Sequence, residues 1–78
     1  MSEQRLTERQ LAIVMHLCNG LGLEEISATM FLSLSTVKRH VDAAKRKTGA
    51  KTTVHLASIV IASGQLYWTP DGRSMRSS

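Results

Sequence analysis

Two segments with the apolar spacing of helices, one ending at Met30 and the other opening after Ser33, are separated by only Phe31, Leu32 and Ser33. So short a joint obliges the two helices to pack against each other at a steep angle. On the first of them Leu23, Ile26, Ser27 and Met30 lie three or four residues apart and form a buried face. Glu24 and Glu25 fall in its first turn, where the positive end of the helix dipole favours carboxylates, and Gly22 is a weak N-cap. Ser33 can cap the second helix, about 34–48, which Gly49 closes. Its inner stripe, Val37, Val41, Ala44 and Thr48, is small in volume. The other face carries Ser35, Lys38, Arg39, Asp42, Lys45 and Arg46.

A helix is expected on either side of this pair. Thr7 with Gln10 makes a capping box, and Leu6 with Leu11 takes the staple positions around it. Gln10, Ile13, Val14, Leu17 and Cys18 then share a stripe, so the first helix spans about 8–19 and stops at Asn19-Gly20. The last helix, about 52–63, is apolar nearly all round. One stripe holds Val54, Ala57, Ser58 and Ile61; the opposite one holds Leu56, Ile59, Val60 and Ser63. A small core accepts one stripe, and a second needs a partner. The first is assigned to the core and the second, Leu56, Ile59, Val60 and Ser63, to a homodimer interface. No stretch alternates as a strand would, so the fold is read as all-α with four helices. The domain is placed at 1–64, with a partly disordered extension at 65–78. Thr69-Pro70-Asp71-Gly72 marks a turn there, and Leu66, Tyr67 and Trp68 can fold back on the last helix.

Composition narrows the function. One cysteine excludes a disulfide framework and a Cys-rich zinc site. No signal peptide or membrane span is evident, which points to the cytoplasm and away from a membrane partner. The net charge of +4 is unevenly spread: −2 over residues 1–37, +5 over 38–51 and +1 over 52–78. Such a concentration calls for a polyanionic partner, nucleic acid before an anionic membrane. His16, His40 and His55 lie on three different helices with no carboxylate at ligand spacing, and no phosphate loop is present. The chain is read as non-enzymatic, with no cofactor and no metal.

A short-turn helix pair whose second member bears the charge is the helix-turn-helix plan. Leu6-Thr7-x-Arg9, Gly20, Glu25-Ile26, Leu32-Ser33, Thr36-Val37-Lys38-x-His40-Val41 and Lys47-x-Gly49 resemble the LuxR/NarL/GerE family of four-helix, wingless DNA-binding domains. The resemblance covers about 6–63 and implies a transcriptional regulator on double-stranded DNA, nucleoid-associated and dimeric through the last helix. It further suggests a stand-alone, GerE-like arrangement. The chain departs from the pattern at Gln10, Leu23, Ser27 and Thr53, and at Ala44 and Thr48, where the family has Ile and Leu. The lost volume would cost ~1–3 kcal/mol per site unless filled, and Met30, Phe31 and the 66–68 cluster are the expected fillers.

The second helix of such a motif reads the major groove. Ser35, Lys38, Arg39 and Asp42 map to base-facing positions, and Thr36, His40, Lys45 and Arg46 to phosphates. Lys38 and Arg39 can donate to guanine O6 and N7. Asp42 can accept from cytosine N4, but an ion pair with Lys38 or Arg46, four residues away on each side, is the favoured role. Two alternatives stay open: a module like region 4 of sigma factors, and an adaptor gripping RNA polymerase or another regulator.

Overall fold

The computed structural model describes residues 5–76. Four helices follow one another: α1 (Glu8–Cys18), α2 (Leu23–Met30), α3 (Leu34–Thr48) and α4 (Thr53–Ala62). A two-stranded antiparallel hairpin, β1 (Leu66–Trp68) and β2 (Ser74–Arg76), closes the described chain. The helix starts are set by local chemistry. Thr7 Oγ1 accepts from the Gln10 N–H at 3.1 Å, and Gln10 Oε1 accepts from the Thr7 N–H at 3.0 Å, completing the capping box. Ser33 and Thr52 cap α3 and α4 through their hydroxyls, and Glu25 accepts from the Gly22 N–H at the start of α2.

All four helices end in the same way. The N–H of Leu21, Leu32, Ala50 and Gln65 each donates back five residues, to His16, Ser27, Lys45 and Val60. This closure requires a left-handed residue one position earlier. Gly20, Gly49 and Gly64 supply it for α1, α3 and α4, but at the end of α2 the position is held by Phe31, at φ 57°. The Ser27 hydroxyl secures that turn by donating to the Leu32 carbonyl at 2.7 Å.

α1 is the scaffold, in contact with every other helix and with β2. The core gathers Ile13 and Val14 from α1, Ile26 from α2, and Val37, Val41 and Ala44 from α3. Leu56 and Val60 from α4 and Leu66 from β1 complete it.

Four expectations are corrected. The α4 stripes are exchanged: Leu56 and Val60 are fully buried in the chain's own core, while Val54 is 80% exposed. Ile59 is half-buried against that core, and Ser63 is exposed with its hydroxyl donating to the Val60 carbonyl. The stripe assigned to a partner is therefore the one α4 turns inward. Second, residues 66–76 form a hairpin in the register Leu66–Arg76, Tyr67–Met75 and Trp68–Ser74. Strands of three residues are too short to produce readable alternation. The extension's last residues, 77–78, lie outside the described ones. Third, Phe31 fills nothing, being 94% exposed; Leu66, wholly buried, and half-buried Met30 join the core. Last, among the described residues Asp42 forms no ion pair.

Candidate nucleic-acid interface

α3 owes its orientation to the stripe Val37, Val41, Ala44 and Thr48, buried along its full length. Ala44 and Thr48 suit the close approach this requires. The Thr48 hydroxyl donates to the Ala44 carbonyl at 2.9 Å, so burial leaves it satisfied. With this stripe inside, the 3.6-residue repeat aims Ser35, Arg39, Asp42 and Arg46 directly outward. All four are exposed, as is Lys38.

The remaining polar residues flank this ridge. Lys38 and half-buried Lys45 lean toward α2, where they line one groove with Leu23, Val41, Asp42 and Thr53. Thr36 and His40, both half-buried, lie on the opposite flank, along with exposed Lys47. Thr36 is also tied to the cap, its N–H and hydroxyl both meeting Ser33 Oγ. All eight residues singled out from the sequence thus share one side of one helix, arranged as an outward ridge with a flank on each side.

Sequence reasoning passed over Lys47 as a positioning group. Its ammonium donates to the Arg5 carbonyl at 3.2 Å and lies 3.5 Å from Gln10 Oε1, joining the end of α3 to the start of α1. The signal was present in Gln10, one of the positions at which the chain departs from the pattern it resembles. Val54 was missed because two opposed apolar stripes look alike in periodicity.

The ion pair found among the described residues joins Arg76 to Glu8 at 3.3 Å, on the hairpin side of α1. Among those residues Lys38, Arg39, Lys45 and Arg46 form no ion pair. A helix is about 10–12 Å across with its side chains, and the major groove of B-DNA is about 12 Å wide. A polar ridge with basic residues on its flanks suits a base-lined floor between two phosphate walls. No group of three or more His, Cys, Asp or Glu able to hold a metal ion occurs among the described residues. None of the described helices is long and apolar enough to cross a membrane.

Comparison with known proteins agrees with this geometry. The model for bacterial regulatory proteins of the luxR family (GerE) matches residues 4–60. The response regulator RamR of Streptomyces coelicolor is 35% identical over 68 residues. That alignment covers 87% of this chain and 32% of RamR, so the chain spans about a third of that relative's length. No solved structure matches the chain.

Proposed function

The chain belongs to the luxR family of bacterial regulatory proteins, which regulate transcription by binding DNA, and from that premise we propose that it reads double-stranded DNA with α3 in the major groove. The observation that carries the reading is the placement of Lys38, Arg39, Lys45 and Arg46, without an ion pair among the described residues, on a helix whose opposite face is locked into the core. Lys38 and Arg39 donate to guanine edges, and Ser35 reaches a base or a phosphate. Thr36, His40 and Lys45 hold phosphates from the flanks, and Arg46 does so from the C-terminal end of the ridge. Asp42 has no ion pair among the described residues, which favours the cytosine N4 contact over the helix-stabilising one.

One such reader covers a single half-site, and a two-fold pair matches an inverted repeat. We accordingly place the homodimer on the outward side of α4, around exposed Val54 and Ser58 and half-buried Ala57. Selection of bound sequences from a random duplex pool tests the reading. An enriched inverted repeat is expected, with affinity falling ~0.9 log unit per decade of salt for each phosphate neutralised. Equal binding to all sequences, or none to any, overturns it.

A further inference from the structure

We infer that the C-terminal hairpin completes the self-association surface of α4, with Trp68 as its anchor and a second copy of this chain as its occupant. The inference rests on the α4 dimer proposed above and extends it to residues beyond the family match, which ends at residue 60. Val54 is 80% exposed and Trp68 49% exposed, and the two line one groove with Leu17, Cys18, Thr53 and Ala57. Apolar surface of this kind, gathered from three elements, marks a contact.

Charge selects the occupant. None of the groove residues carries a formal charge, and α4 has no Asp, Glu, Lys or Arg from Thr53 to Ala62, in a chain of net charge +4. Two-fold pairing sets each residue near the axis against its own copy, so a charged face would repel itself. This face does not.

Area requires the hairpin. A ten-residue helix is about 15 Å long. One stripe of it falls short of the ~800 Å² per partner of a stable interface. A whole tryptophan buries about 150–250 Å² and is a favoured anchor residue, and Trp68, 49% exposed, has roughly half of that to contribute. Trp68 is also held in place before any partner arrives. It pairs with Ser74, whose backbone is bonded to Asn19, and its neighbour Leu66 is buried in the core. Little backbone freedom at Trp68 remains to be lost on association.

Trp68 is the chain's single tryptophan and therefore reports on its own burial. Sedimentation equilibrium and iodide quenching of the intrinsic fluorescence, both across a dilution series, form the test. Wild type is expected to dimerise, its emission shifting to the blue and its quenching falling as the dimer fills. Trp68→Ala should weaken the dimer roughly tenfold or more, and Val54→Glu should abolish it, both keeping the helical circular dichroism of the parent. A wild-type dimer lost in Val54→Glu but unaltered in Trp68→Ala overturns the hairpin's part and leaves the α4 dimer standing. A wild-type dimer whose Trp68 quenching does not fall overturns the hairpin's part without reference to any variant. A wild type monomeric at every concentration, or a dimer indifferent to Val54→Glu, overturns both.

Discussion

Asn19 and Ser74 lie 55 residues apart, and the Asn19 side chain grips the Ser74 backbone at both its polar atoms. The Asn19 Nδ2 donates to the Ser74 carbonyl at 3.1 Å, and the Ser74 N–H donates to Asn19 Oδ1 at 2.6 Å. The amide thus behaves as a short piece of strand laid beside β2. Asn19→Ala leaves both backbone groups unpaired, at a cost of about 1–3 kcal/mol. For a chain of this size the melting temperature should drop by roughly 4–8 °C per kcal/mol. Trp68 emission should shift to the red as the hairpin loosens. Unchanged melting and emission would show that packing around Leu66 alone holds the hairpin.

The same corner sets the chemistry of Cys18. Among the described residues the buried Ser74 hydroxyl has no oxygen or nitrogen partner, and it lies beside the Cys18 thiol. Burial raises the Cys18 pKa above its ordinary 9.0, and the Ser74 hydroxyl offsets part of the rise. A raised pKa means that the folded state holds its proton longer than the unfolded one. Cys18 therefore contributes stability that is present below pH 9 and is lost as the pH climbs through the folded value. Cys18→Ser should flatten that alkaline decline. Iodoacetamide at pH 8 should label native protein more slowly than denatured protein. Equal rates would refute the assignment.

Phe31 holds a conformation that costs a non-glycine residue roughly 1–2 kcal/mol. Its ring returns nothing to the isolated fold, being 94% exposed. Glycine removes that strain while adding freedom to the unfolded chain, worth about 0.4–1 kcal/mol. Phe31→Gly should therefore stabilise by about 0.5–1 kcal/mol, raising the melting temperature by roughly 2–8 °C. A lower melting temperature would mean that the ring makes a contact in solution.

The legible parts of this fold were those dictated by neighbours in sequence. Thr7 with Gln10, Ser33, Gly20 and Gly49 each act within a few residues, so three helices and their joints could be read directly. The α3 ridge was legible for the same reason, since one stripe of it is apolar and the rest is not. Two features depend on distant residues and were not. Which α4 stripe turns inward is decided by α1, α3 and β1 together, and periodicity is blind to that choice. The hairpin owes its place to Leu66 in the core and to Asn19, and neither advertises the pairing locally.

On α3, base-facing and phosphate-facing residues should separate by the kind of loss they cause. Lys38→Ala and Arg39→Ala should each relax preference at particular bases, by ~1–3 kcal/mol. Lys45→Ala and Arg46→Ala should weaken all sequences alike and reduce the salt slope by about one phosphate each. Asp42→Ala should alter preference at one position of the half-site. A uniform rise in affinity for every sequence would instead make Asp42 a simple repulsive charge. Titrations of matched and mismatched duplexes at several salt concentrations decide among these outcomes.

Leu56 and Val54 give the sharpest test of which way α4 faces. Leu56 has no exposed surface and joins α4 to the common core, so Leu56→Ala removes buried methyl groups and leaves a cavity. Truncations of this kind cost about 2–5 kcal/mol. In so small a core that is a large share of the whole stability. Val54, two residues earlier, is 80% exposed, and Val54→Ala removes little that the monomer buries. Its stability below the dimerisation range should stay within about 0.5 kcal/mol of the parent. Urea unfolding of the two variants, followed by circular dichroism at low protein concentration, separates the orientations. A severe loss for Leu56→Ala with Val54→Ala unchanged is the expected result, because only Leu56 is part of the monomer's interior. The reverse pattern would restore the stripe of Leu56, Ile59, Val60 and Ser63 to the outside and remove Val54 from any interface.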